Sequence, residues 1–532
     1  MNYNYFNTSS NHSMNLYNAL KYCKENNERS LIFDTDTYEF YDDMAFEEVM
    51  YVSNHDIYEI KRIPFLIKEM TDFIIDGNGS KFIFHNSVIP FVLQNSENIT
   101  LKNFSVDYDE TMMLDAHVYN LQDNYIDVEI KNNDSYCVSD SKLYCYDAFG
   151  HRDIVDFACI MSIGDNKNFT KNSCDWFEIA DSTFTDLGDK RIRINGIISG
   201  IEEGTHIVLK SFIRHSCAVV LKECKNIKIE NVSIFRSYGM GILAQKTENV
   251  SIDKLNVVAK ENNLFSLSAD ATHFVNCKGV IEVRNSSFSE QMDDALNIHG
   301  IFTKIVDKTD DYIMVKYMHQ SAKGINIYDD ESEIAVLNPK TLIPDEVYKI
   351  SKVEVINMEY TRIYIKGGTQ NIKVGNVVED LTWKSDLIFE NNKVFNNRAR
   401  GLLIAAKGNV LIKNNYFNTP GVSILFESDG EFWFESGGTT NVIIKQNEFN
   451  NCKYSNAWGE NVIEVVPRKE FNDGKYYHKN IEIIGNRFID CDTSLISLDN
   501  FEKVLVQNNV IENCKSDKYL KVANCKLVES DI

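Results

Sequence analysis

A short phrase returns along the whole chain: an asparagine, alternating apolar residues, then a second asparagine close to an aromatic or aliphatic side chain. It reads NITLKNFSV from Asn98, NIKIENVSI from Asn226, NVSIDKLNV from Asn249, GVIEVRNSSF from Gly279 and DLIFENNKVF from Asp386. It continues as NVLIKNNYF from Asn409, NVIIKQNEF from Asn441, NIEIIGNRF from Asn480 and KVLVQNNVI from Lys503. Neighbouring copies stand 23 residues apart at 226 to 249, 386 to 409 and 480 to 503, and steps of 30, 32 and 39 leave room for loops. Alternation with period two marks strands rather than helices. A unit this short cannot bury its own apolar face, so units must stack. Asparagine tolerates left-handed backbone at turns and can form ladders between coils. The expected fold is all-β, a right-handed parallel β-helix. Leucine-rich repeats lack the Asn-centred strand, and propeller blades are roughly twice as long.

The stacking has to begin somewhere, and NLYNALKYCKEN (Asn15 to Asn26) reads as an amphipathic helix that caps the first coil and its unpaired backbone groups. Two stretches keep the alternation but lose the asparagines (YIDVEI, RIRI and THIVLK in one; YIMVKYM, EIAVL and RIYIK in the other), and these read as small antiparallel β-barrel-like insertions. The expected division is a cap and first coils over 1–106, an insertion over 107–212, coils over 213–302, a second insertion over 303–384 and final coils over 385–532.

Composition narrows the function. The 43% hydrophobic content suits a folded chain, and 78 acidic against 55 basic residues leave a net charge of −23. That field repels phosphate backbones and anionic lipid, so neither nucleic acid nor membrane is expected as a partner, and a neutral ligand fits better than an acidic polysaccharide. No apolar run is long enough to span a bilayer. The first residues, MNYNYFNTSSNHSMN, have neither the basic nor the apolar region of a secretion signal, so the location is cytoplasmic unless a signal has been removed. Of the 12 cysteines, Cys452, Cys491 and Cys514 end matching phrases (NEFNNC, NRFIDC, NVIENC), which reads as a column of reduced inward thiols rather than a disulfide framework. Histidines are sparse and calcium-loop spacing is missing, so no metal and no cofactor is expected.

Chemistry concentrates between Ser268 and Gly300. Asp270 stands 23 residues before Asp293, which is followed at once by Asp294. Stacked coils would bring the three carboxyls together, and an alternative register would set Asp270 on His299. Adjacent aspartates flanked by Met292 and Ala295 repel each other, a cost that proteins keep mainly where one carboxyl needs a raised pKa.

The segments DATHFVNCKG, QMDDALNIHG and the upstream SYGMGILAQ resemble glycoside hydrolase family 110, the α-1,3-galactosidases. Leu296 departs from the family's more usual residue and is expected to face the core. The resemblance extends over most of the chain and implies a β-helix with two inserted β-domains. It also implies Asp293 as general acid and Asp270 with Asp294 as the groups that hold and deprotonate water. Single displacement would then invert the anomeric centre, and a water between acid and base requires carboxyls roughly 6.5–9.5 Å apart. The implied substrate is a galactose-terminated oligosaccharide, of the blood-group-B type or a linear α-1,3-galactoside.

Further candidates for sugar contacts are His273, His299, Gln245, Gln291, Arg400, Glu427, Trp433 and Glu435. Arg400 opens an equivalent strand two or three coils on. FESDGEFWFESGG offers a flat aromatic wall with an acceptor beside it. Rival readings are a polygalacturonase-like hydrolase, a calcium-dependent polysaccharide lyase and a non-catalytic glycan-binding β-helix. A homodimer is left open.

Overall fold

The asparagines of the repeat occupy the turns. Asn98, Asn226 and Asn249 have φ of 55°, 55° and 57°, the left-handed region that asparagine tolerates. Their amides climb the coils as a ladder, Asn226 Nδ2 donating to Asn98 Oδ1 and Asn249 Nδ2 to Asn226 Oδ1, each at 3.0 Å. A second ladder is buried. Asn415 Nδ2 donates to Asn447 Oδ1 and Asn447 Nδ2 to Asn486 Oδ1, both at 2.9 Å, and Asn486 Nδ2 donates to Asn509 Oδ1 at 3.0 Å. Buried amides that pair with one another this way satisfy donors that would otherwise be costly to bury.

The computed structural model describes the chain except residues 56–58, 148–149, 164–168, 172, 174, 197–199, 261–262, 467–473 and 517. Two parallel sheets run the length of the solenoid. One holds the repeat strands, such as Lys225–Ile234, Glu248–Val257 and Lys278–Arg284. The other holds shorter strands in register: Phe91–Gln94, Val219–Lys222, Ile242–Gln245, Thr272–Val275, Leu296–Lys308, Leu402–Ala405 and Ile424–Phe426. Inward side chains from both sheets form one continuous core. Phe417, Phe449 and Phe488 stack through it with ring centroids 5.1 and 4.9 Å apart. The eleven described cysteines are all free, and Cys491 Sγ lies 3.4 Å from the Cys452 amide in the expected thiol column.

The capping helix spans His12–Glu25, three residues earlier at its start than the apolar pattern suggests. The reason is Asn11, whose side chain accepts from Met14 N at 2.9 Å and so fixes the first turn. Leu16, Ala19, Leu20 and Cys23 face the first coil.

At both places where the asparagines lapse, the chain leaves the solenoid and rejoins it at the next rung. Phe91–Gln94 pairs directly with Val219–Lys222, and Leu296–His299 with Leu402–Ala405. Between the first pair lies a seven-stranded antiparallel sheet whose two end strands, Trp176–Glu178 and Thr183–Gly188, do not pair with each other among the described residues. Between the second pair lies a closed six-stranded antiparallel barrel. One strand, Leu296–Lys308, is both a solenoid rung and the barrel's first strand, so the barrel is fixed rigidly to the coil that follows Asp294.

Candidate active site

Three of the expected residues occupy one position in successive coils. Thr272 pairs with Leu296 and Leu296 with Leu402, so Asp270, Asp294 and Arg400, each two residues upstream, stack in order. Ala271 N donates to Asp294 O at 2.9 Å, and Arg400 N donates to Asp294 Oδ1 at 3.1 Å. The register is therefore 24 residues (272 to 296), and neither Asp293 nor His299 sits opposite Asp270. The additional residue is Asp293, which stays in the turn. Its side chain is 18% exposed, against 6% for Asp270 and 0% for Asp294. Arg400 is one coil from Asp294 and two from Asp270, because the barrel accounts for most of the intervening sequence.

The stack is held by charge. Arg400 lies along the Asp294 carboxylate, Nε 3.0 Å from Oδ1 and Nη2 2.9 Å from Oδ2, and Nη2 is 3.8 Å from Asp293 Oδ1. Arg214, on the segment returning from the first insertion, places Nη2 3.4 Å from Asp293 Oδ2. An oxygen from each of the three carboxyls lies within 4.8 Å of one from each of the others. Nearest oxygens so placed are closer than the roughly 6.5–9.5 Å expected between inverting carboxyls. The two guanidinium groups explain the crowding, since they offset two of the three negative charges.

The third charge is met by a proton. Burial, with the Asp293 charge behind it, pushes Asp270 up to about 8, while Arg214 and Arg400 oppose the shift. Burial also pushes Asp294 upward against the pull of Arg400. The consequence for stability has a definite sign. Between about pH 4 and pH 8 the folded protein keeps a proton on Asp270 that the unfolded chain has lost, so stability falls as pH rises through that window and levels off above it. Asp270→Asn is expected to flatten part of that slope, raising unfolding free energy by about 1 kcal/mol or more at pH 8 and by less at pH 5. Urea unfolding at the two pH values checks it.

The remaining expected residues fall into two groups. His273 is buried with both ring nitrogens occupied, Nδ1 2.6 Å from Asp270 Oδ2 and Nε2 3.0 Å from His299 Nε2. His299 turns Nδ1 to Gly300 O at 2.7 Å and brings Nε2 within 3.7 Å of Glu435 Oε1. Gln245 is spent on structure: its Oε1 accepts from Ser53 N at 3.0 Å and its Nε2 donates to Tyr51 O at 3.3 Å. Gln291 is fully buried with no protein partner on either amide atom. Glu427 is near enough to Arg400 to support its charge: burial works against that charge, while Asp294, Asp293 and Glu427 hold the guanidinium pKa above its ordinary value. Trp433 is 44% exposed, its ring 4.9 Å from that of His319 on the barrel.

Four residues of the site escaped the sequence reading. Arg214 and Lys210 lie where the first insertion rejoins the solenoid, outside any repeat. Lys210 Nζ donates to Ser268 O at 2.7 Å, and burial lowers its pKa to about 8. Arg398, visible in RARGLLI, donates to Met292 O at 2.9 Å. The Trp458 ring lies under both guanidinium groups, 4.7 Å from that of Arg398 and 5.6 Å from that of Arg400.

A β-helix bearing clustered carboxyls of unequal exposure, one paired to arginine and one protonated, is built for acid/base work on a glycosidic bond. Residues 311–529 match the family model described as a right handed beta helix region. Alpha-1,3-galactosidase A of Shewanella woodyi is 31% identical over 486 residues, covering 89% of this chain and 78% of its own. Alpha-1,3-galactosidase B of Parabacteroides distasonis is 30% identical over 526 residues, covering 93% and 84%. Among solved structures, an exopolygalacturonase from Thermotoga maritima aligns over 100% of this chain and 90% of its own with a TM-score of 0.46 and 11% identity. The chain belongs to the α-1,3-galactosidase family.

Proposed function

We propose that this glycoside hydrolase releases terminal α-1,3-linked galactose from neutral glycans by a single displacement that inverts the anomeric centre. The observation that carries the reading is the unequal setting of the three aspartates. Asp293 is the one with an exposed carboxyl, suited to protonate the leaving oxygen. Asp270 and Asp294 are buried beside it, suited to hold the attacking water. At separations up to 4.8 Å, one water with hydrogen bonds of about 2.8 Å can bridge two of these oxygens.

Neither buried carboxyl is arranged as a nucleophile. Both Asp294 oxygens lie against Arg400, and Asp270 has Oδ2 on His273 and Oδ1 3.3 Å from Asp294 N. With no oxygen left to attack carbon, water attack is favoured over a covalent glycosyl intermediate. The exposed Trp433 supplies an apolar face of the kind galactose stacks on.

Galactose release from linear and fucose-branched α-1,3-galactosides tests the substrate. Release from at least one class is expected, and release from neither would sink the proposal. EDTA is expected to leave the rate unchanged, because Arg400 and Arg214 already supply positive charge at the carboxylates. Activity lost on chelation and restored by calcium would shift the reading to a metal-dependent reaction.

A further inference from the structure

The hydrogen count behind Asp270 does not balance for an ionised acid and two neutral histidines. Three contacts run in series: Asp270 Oδ2 to His273 Nδ1 at 2.6 Å, His273 Nε2 to His299 Nε2 at 3.0 Å, and His299 Nδ1 to Gly300 O at 2.7 Å. Each needs one hydrogen. The carbonyl of Gly300 only accepts, so His299 Nδ1 carries the last of them. Two neutral imidazoles and a carboxylate bring two hydrogens, so the series holds one more. That hydrogen can sit on Asp270, on His273 or on His299, and in each case all three contacts survive with no heavy atom displaced.

We propose that His273 and His299 form a proton relay behind Asp270, ending beside Glu435. The proposal rests on the hydrolase reading above, and it makes the two histidines positioning residues rather than sugar ligands. With the extra hydrogen on Asp270 the acid is neutral and idle as a base. Passing it through His273 to His299 frees the Asp270 carboxylate to accept a proton from water. Glu435 Oε1, 3.7 Å from His299 Nε2, stabilises the resulting imidazolium.

The turnover then balances. Asp293 gives its proton to the leaving oxygen as the glycosidic bond breaks. The oxygen of water bonds to the anomeric carbon, and its proton lands on Asp270. The hydrogen parked on His299 departs to solvent through the recess lined by Ser53, Asn54, His299, His319, Trp433 and Glu435, and Asp293 takes one back from solvent. One water is consumed and no charge accumulates.

The surroundings favour the resting position at the Asp270 end. Burial lowers the His273 pKa well below its ordinary value, with His299 and Arg214 adding to the effect and Glu435 and Asp293 opposing it. The other ionisable groups near the Asp270–His273–His299 series are Asp294, Arg400 and His55. Burial also holds His55 neutral, at a pKa of about 3.

His299→Gln keeps a hydrogen-bonding side chain but cannot take up a proton. It is expected to lower kcat about tenfold with KM unchanged within about twofold, and added imidazole is expected to recover most of the rate. A raised KM with kcat intact would make His299 a sugar ligand and overturn the relay. A kcat loss that imidazole cannot relieve, or no loss at all, would overturn it equally. Should wild-type release no galactose, the hydrolase reading fails on its own, and ¹⁵N-histidine spectra of the unliganded protein decide the relay independently. Asp270→Asn is then expected to shift the His299 Nε2 resonance, two contacts away, and an unmoved resonance would refute the coupling.

Discussion

Asp293→Asn is expected to lower kcat on an α-1,3-linked galactoside by roughly a thousandfold or more while KM and the unfolding midpoint barely move. The side chain it replaces is the most exposed of the trio, and its loss relieves charge repulsion with Asp270. Stability therefore has no reason to fall. What disappears is the proton donor to a sugar alkoxide, a leaving group too basic to depart alone. The same substitution is expected to cost far less on α-galactosyl fluoride, whose leaving group departs without protonation. Steady-state kinetics on the two substrates make the comparison, and an equal loss on both would remove Asp293 from the acid role.

Arg400→Met is expected to cost both activity and about 3 kcal/mol of stability, because it strips the partner from a fully buried carboxyl. Arg400 contributes its backbone amide, Nε and Nη2 to Asp294, and methionine keeps only the amide. Adding Asp294→Asn to the same chain removes the orphaned charge and is expected to recover much of the stability with none of the activity. Urea unfolding of the single and double variants measures the coupling. If the two losses simply add, the pair is not the clamp described.

The solenoid was legible because its signal is local and repeated. Asparagines with φ near 55°, strands alternating in and out, and a thiol every coil all follow from one short phrase. The trio was legible as residues but not as geometry. A step of 23 between Asp270 and Asp293 suggests a direct stack, and the backbone instead pairs at 24. That one-residue difference puts Asp294 beside Asp270 and leaves Asp293 in the turn, and no periodicity discloses it, because turns absorb single residues without altering the strands on either side.

Contacts made across the insertions were less legible still. Arg400 follows Asp294 by a single coil once the barrel is set aside, and Arg214 and Lys210 arrive from a sheet with no repeat to anchor them. His273 and His299 read as sugar ligands from sequence because they follow the aspartates. Their burial, and the pairing of their Nε2 atoms, depends on facing side chains in adjacent rungs, which only the three-dimensional register provides.

The central claim, water attack steered by buried carboxyls with Asp293 as the acid, is tested most directly by the anomer first released. Proton NMR of the galactose formed in the earliest seconds of hydrolysis, before mutarotation, is predicted to show β-galactose. Initial α-galactose would contradict single displacement and point to a covalent intermediate.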